Sequence, residues 1–72
     1  MLTTDLVRIA AAGGGLRIDC SKHLVSDIVR IANAARMGGG YIYLENAVRL
    51  STIDKVRIAA ARKGHIIFND LV

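Results

Sequence analysis

The sequence predicts an α/β protein in which three tandem helix–strand units form one three-stranded parallel sheet. A D-x-V-R-I-A motif begins at Asp5, Asp27 and Asp54, so the copies start 22 and 27 residues apart. Glycine and then a short apolar segment follow each copy. A unit that recurs at such a period indicates a repeat architecture. Because strands linked by helices run parallel with right-handed crossovers, all three helices are predicted to cover the same sheet face.

The motif copies are predicted to be helices, since alanine and leucine favour helix and the chain contains no proline. The predicted N-caps are Thr3 or Thr4, Ser26 and Ser51, whose hydroxyl groups can accept hydrogen bonds from free backbone amides. The motif aspartates fall in the first turn, where the helix dipole favours negative charge.

Glycines at residues 13–15, residues 38–40 and Gly64 stand where each predicted helix should end. A left-handed residue commonly closes a helix, and glycine adopts that conformation most easily. A phosphate-binding loop is the alternative interpretation, but such a loop follows a strand and opens a helix. These glycines follow helices and precede strands, so we interpret them as helix terminators.

The segments after the glycines alternate in polarity and are rich in β-branched and aromatic residues, which is typical of strands. The units span residues 3–22, 24–49 and 51–72, approximately, within a single domain of residues 1–72. Alternation places one set of strand residues toward the helices: Leu16, Ile18, Ile42, Leu44, Ile66 and Phe68. The helix residues predicted to pack onto them are Val7, Ile9, Ala10, Val29, Ile31, Ala32, Val56, Ile58 and Ala59.

The middle unit reads I-Y-L-E-N-A-V-R-L-S from Ile42 to Ser51. This segment resembles the leucine-rich-repeat pattern, in which an alternating strand is followed by an asparagine and a later leucine. The matching residues are Ile42, Leu44, Asn46 and Leu50 in the second unit, Leu16, Ile18, Cys20 and Leu24 in the first, and Ile66, Phe68 and Asp70 in the third. The resemblance implies a small solenoid that binds protein with its strand face.

The second face of the sheet is predicted to be open, because no further helix remains to cover it. Parallel sheets are normally covered on both faces, and aromatic residues are enriched at protein interfaces. We therefore expect a protein-binding or self-association face composed of Arg17, Asp19, Tyr41, Tyr43, Glu45, His65, Ile67 and Asn69.

The last strand, at residues 65–69, presents a second candidate surface because its outer edge has no predicted partner strand. An apolar unpaired edge is a template for another strand, and two copies could join there through a two-fold axis. The expected function is a non-enzymatic module that binds itself, as a homodimer, or an unidentified protein.

The alternative function is weak binding of anions or nucleic acid, suggested by a formal net charge of +4. Arginines at positions 8, 30 and 57 each follow an aspartate by three residues, which predicts ion pairs along the helices. The cations left unpaired are Arg36, Arg49, Arg62 and Lys63. No docking motif and no basic patch with interleaved aromatics accompanies them, so nucleic acid is an unlikely partner.

Catalytic, metal and cofactor sites are not expected. Cys20 is the one cysteine, and with His23 it forms at most half of the four ligands that a structural zinc needs. Neither paired carboxylates nor a complete catalytic triad can be recognised, and Cys20 is interpreted as structural. A single cysteine predicts a reducing, cytoplasmic setting, and no apolar run approaches the roughly 18 residues of a membrane span.

Overall fold

A computed structural model describes residues 2–69, and in this range three helices alternate with three strands. The helices are α1 (Thr3–Ala11), α2 (Val25–Gly38) and α3 (Thr52–Arg62), and the strands are β1 (Leu16–Asp19), β2 (Ile42–Glu45) and β3 (Ile66–Phe68). A turn of 3-10 helix follows each of the first two strands. The predicted α/β class is confirmed, while Asp70 and the rest of the third unit's end lie outside the described residues.

The three strands form one parallel sheet in the order β1-β2-β3, as the sequence predicts. Leu16 lies opposite Ile42, and Ile42 lies opposite Ile66. Equivalent positions of the three units therefore lie in the same row across the sheet. Backbone pairing continues one residue beyond β3, since the Asn69 amide donates to the Leu44 carbonyl over 2.8 Å.

The core lies between one sheet face and the helices. Ile18, Ile42 and Leu44 are at most 2% exposed, and they form one cluster with buried residues of all three helices. Leu16, Ile66 and Phe68 are partly buried at the margins of this cluster. The helix residues of the cluster are Ala10, Ile28, Ile31, Ala32, Ala35 and Ile58. The strand residues predicted to face the helices are thus confirmed.

Two helix residues that the sequence places in the core lie at the surface instead. Val56 is 62% exposed and Ile9 is 36% exposed. Helix α2 packs against both α1 and α3, so α1 and α3 stand at the two ends of the helical layer. Val56 and Ile9 lie at these ends, where no helix among residues 2–69 covers them.

The N-terminal caps agree with prediction only at α3, where the Asp54 amide donates to the Ser51 hydroxyl oxygen over 3.1 Å. Leu2 and Leu24 occupy the N-cap positions of α1 and α2, and neither offers a side-chain acceptor. Thr3, Thr4 and Ser26 are wrong as N-caps, because both helices begin early enough to include them.

The glycine segments lie at the helix ends as predicted, but glycine is the C-cap only at α2, because Ala12 caps α1 and a left-handed Lys63 caps α3. Two glycines also permit close contact between units. A left-handed Gly39 closes α2. A β-carbon on Gly38 would meet the Gly13 nitrogen at 2.7 Å and the Ala11 carbonyl oxygen at 2.9 Å. A β-carbon on Gly40 would meet the Gly14 carbonyl oxygen at 2.6 Å. The ends of the first two units therefore touch backbone to backbone.

We expect Gly38→Ala to lower the free energy of unfolding by at least about 2 kcal/mol, because the added methyl group has to displace backbone atoms. Urea unfolding followed by circular dichroism measures this loss. The control is Gly39→Asn, because a β-carbon there has nothing within 4 Å and asparagine tolerates the left-handed conformation. The close packing is contradicted if the two variants are equally stable.

Candidate functional site

Of the eight residues predicted for the open sheet face, five lie within strands, where alternation places them opposite the core-facing residues: Arg17, Asp19, Tyr43, Glu45 and Ile67. Tyr41, His65 and Asn69 lie just outside the strands. The sheet register brings Arg17, Tyr43 and Ile67 into one row across the three strands. Asp19 lies opposite Glu45 at the strand ends, and alternation along β3 places Asn69 beyond Ile67. Tyr41 and His65 lie at the strand starts, where their rings are 4.7 Å apart and tilted by 49°.

The β1 side of this face is occupied by contacts among its own residues. Arg17 Nε lies 3.0 Å from Glu45 Oε1, and the Arg17 guanidinium carbon lies 5.4 Å from the centre of the Tyr43 ring. The Arg17 side chain is largely exposed, so water screens the ion pair and it adds little stability. Its effect is local: the guanidinium lies over Tyr43 and neutralises Glu45.

The β3 side of the face is more apolar and more accessible. Tyr41 is 56% exposed and Ile67 is 36% exposed, and His65 is exposed beside them. Tyr41 presents both a ring surface and a hydroxyl group, a combination that suits contact with another protein. We call this cluster of Tyr41, His65 and Ile67 the aromatic corner.

Arg62 is the clearest departure from the sequence prediction. It was expected to be a surface cation, but it is only 5% exposed. Its Nε and Nη2 groups donate to the Gly40 carbonyl oxygen over 3.2 and 3.1 Å, and Nη2 lies 2.6 Å from His65 Nδ1. Arginine has no acceptor atom, so Nδ1 accepts this hydrogen bond and the ring hydrogen resides on Nε2. The buried Arg62 side chain therefore fixes the position of the His65 ring in the aromatic corner.

Arg62 and Gly38 each end a helix four residues before the next strand begins. Gly38 is the residue whose missing side chain lets the first two units touch. The third unit has an arginine at this position, and its side chain reaches the Gly40 carbonyl. His65 is turned back toward this arginine by a run of left-handed residues, Lys63, Gly64 and His65.

The other candidate cations, Arg36, Arg49 and Lys63, are exposed as expected. Two of the predicted ion pairs are present on the helix surface. Arg30 lies 3.7 Å from Asp27, and Arg57 lies 3.9 Å from Asp54.

Asp19 has an internal role that its position on the face did not reveal. Its Oδ1 atom accepts hydrogen bonds from the Ser21 amide (2.9 Å), the Ser21 hydroxyl (2.6 Å) and the Asn46 side-chain amide (2.9 Å). The Ser21 hydroxyl bond, followed by the Asn46 bond, lowers the pKa of Asp19 to about 2. The carboxylate thus ties the loop after β1 to the loop after β2. The D-x-S spacing is the sequence signal for the local part of this turn.

Cys20 is buried, which agrees with a structural role. Burial, and then the nearby negative charge of Asp19, raise the pKa of its thiol. A thiol that is hard to ionise is a poor nucleophile and a poor metal ligand. Among residues 2–69, no three histidine, cysteine, aspartate or glutamate side chains come together as a metal site would require.

Comparison with protein-family models, curated proteins and solved structures finds no match to this chain. The likeness to leucine-rich repeats and the solenoid shape therefore stay predictions. Within the described range, no helix combines the length and the apolar character that crossing a membrane requires.

Asp19→Asn is expected to destabilise the protein at neutral pH, because a neutral amide accepts the three hydrogen bonds less strongly. The pKa of Asp19 falls from an ordinary 3.8 to about 2 on folding. Its contribution is therefore complete above about pH 4 and is lost as the pH falls through 2. Urea unfolding of both proteins between pH 7 and pH 2.5 should show their difference shrinking with acid.

A carboxyl-carbon NMR titration checks the cause of this shift. We expect the midpoint for Asp19 to lie near 2 in the wild type and to rise toward 3.8 in Ser21→Ala, which removes the hydroxyl donor. An unchanged midpoint in that variant would contradict the assignment.

Arg62→Met is expected to lower the free energy of unfolding by about 2 kcal/mol, because the Gly40 carbonyl and His65 Nδ1 lose a charged donor. The matched control is Arg36→Met, which removes an exposed arginine from the last turn of α2 and should change stability by less than about 0.5 kcal/mol. Equal losses in the two variants would show that Arg62 does not hold the corner.

Proposed function

We propose that the chain is a non-enzymatic module that binds protein through its open sheet face, with the aromatic corner at the centre of the contact. The observation that supports this most is the exposure of Tyr41 and Ile67, which are 56% and 36% exposed on the β3 side of the face. A tyrosine and an isoleucine that share an uncovered strand surface are typical of a contact region.

The aromatic corner is also preorganised, which favours binding. The Tyr41 ring packs against the His65 ring, and His65 accepts a hydrogen bond from Arg62. Arg62 also donates a hydrogen bond to the Gly40 carbonyl. A side chain that is already held in place loses less conformational entropy when a partner arrives. The entropy cost of ordering the corner therefore reduces the binding free energy only a little.

The charges around the corner indicate the kind of partner. Arg17 and Glu45 neutralise each other, and Asp19 is engaged with Ser21 and Asn46. The face is therefore close to neutral and partly apolar. It suits a protein surface with an apolar group for Ile67 and a hydrogen-bond partner for the Tyr41 hydroxyl, in another protein or a second copy of this chain.

Binding of nucleic acid has less support. Of the four cations on which it rested, Arg62 is buried and unable to reach a phosphate. Arg36, Arg49 and Lys63 remain exposed, but they are not accompanied by stacked aromatics.

The test is a selection of binding peptides from a random library, with the wild-type chain immobilised. We expect selected peptides to lose at least about tenfold in affinity for Tyr41→Ser with Ile67→Ser, because the double variant removes the central apolar contacts. The control is Met37→Ser with Val48→Ser, two exposed apolar residues that lie outside the strands.

Two outcomes would contradict the proposal. Selected peptides that bind the double variant and the wild type equally would show that the face is not the contact. Binding of a single-stranded oligonucleotide that weakens steeply between low and physiological salt, with no selected peptide, would favour the nucleic-acid alternative.

A further inference from the structure

The two ends of the helical layer form a pair of surfaces separate from the open sheet face. The leading flank consists of the outer side of α1 and the outer edge of β1. The trailing flank consists of the outer side of α3 and the outer edge of β3. Each of these edge strands pairs only with β2 among residues 2–69.

Equivalent motif positions show what each flank would contact. At the third position, Val7 and Val29 pack against the core, but Val56 is exposed. The residues that are covered belong to α1 and α2, each of which has a following helix. The third position therefore faces the next helix, and no helix follows α3 among residues 2–69.

The fifth motif position shows the reverse pattern. Ile31 and Ile58 are fully buried, whereas Ile9 is partly exposed. The buried pair belongs to α2 and α3, each of which has a preceding helix. The fifth position therefore faces the previous helix, and in the described part of the chain no helix precedes α1.

Both flanks expose apolar side chains. On the trailing flank, Ile53 is 74% exposed, and with Val56 and Ala60 it forms one apolar stripe along α3. The leading flank contains a shallow groove between Ile9 and Ala12, bordered by Asp5 and Arg8. One flank thus presents a ridge of side chains and the other a groove.

We infer that copies of this chain stack head to tail, with the trailing flank of one copy against the leading flank of the next. The α3 stripe would enter the α1 groove, continuing the packing seen between α1 and α2 and between α2 and α3. The outer edge of β3 would pair with β1 of the next copy in parallel, with Ile66 opposite Leu16 of that copy. This goes beyond the proposed function, because the contact is made by the flanks and not by the open sheet face.

A joint of this kind uses two different surfaces. After each copy is added, the assembly still has one free leading flank at one end and one free trailing flank at the other. Such heterologous contacts build open chains unless the rotation per copy closes a ring. A two-fold dimer through the β3 edge, by contrast, uses one surface twice and stops at two copies. The two arrangements predict different masses and different behaviour of blocked variants.

The experiment is light scattering over a concentration series, on the 7.7 kDa wild type and two blocked variants. We expect the wild-type mass to rise past that of a dimer. Val56→Asp with Ile53→Asp blocks the trailing flank, and Ala12→Lys with Ile9→Lys blocks the leading flank. Each should weaken association at least about tenfold, because an unpaired charge would be buried in the joint.

Mixing the two blocked variants gives the deciding result. Each retains one intact flank, so the mixture should form a one-to-one pair that grows no further, although neither variant associates alone. Met37→Asp on α2 and the sheet-face variant Tyr41→Ser should assemble like the wild type. Circular dichroism confirms that each variant is folded, and a leading-flank variant that is not folded is replaced by Ala12→Lys alone.

Three results would overturn the inference. They are a wild type that stays monomeric at every concentration, a mass that stops at a dimer, and a mixture that forms no pair. Loss of assembly in the sheet-face variant, with no effect of the flank variants, would assign self-association to the aromatic corner instead.

Discussion

The fold depends on the burial of one apolar sheet face beneath three helices. Ile18, Ile42 and Leu44 are almost fully enclosed, and the buried helix residues surround them. Residues 2–69 contain no further helix that could cover the second face. The open sheet face and the uncovered flanks are therefore consequences of the same packing that stabilises the protein. A chain of this length buries only about 60% of its unfolded surface, so contact with another protein would add to a small core.

The joints between units are built in two different ways, and the difference creates the candidate site. The first two units meet through glycine backbone, with Gly38 and Gly40 packed onto the end of the first unit. The second and third meet through Arg62, which reaches the Gly40 carbonyl. Because Arg62 also binds His65, the packing of the third unit fixes the ring that supports Tyr41. The surface chemistry of the face is thus linked to an internal joint.

The proposed contacts divide between surfaces with different physical character. The aromatic corner is small, nearly neutral and held in place, which suits a discrete partner. The flanks repeat an interface that the chain already uses internally, which suits another copy. Self-association at the flanks would leave the sheet face accessible, and successive copies would present the same face in a row. Multivalent binding to a partner with repeated sites would then gain from the short spacing between copies.

The sequence by itself determined the class of fold, because its repeated motif, glycine positions and alternating strands are local patterns. It also determined which strand residues face the helices, since alternation leaves only two choices. The burial of Arg62, the exposure of Val56 and the hydrogen bonds of Asp19 were decided by the tertiary structure. The physical reason is that each depends on which residues distant in the chain lie nearby. Arg62 reaches the Gly40 carbonyl, Asp19 reaches the Asn46 side chain, and Val56 has no helix beside it on the outer side of α3 among residues 2–69. A motif specifies what a residue can contact, and the arrangement of the units specifies whether that contact is present.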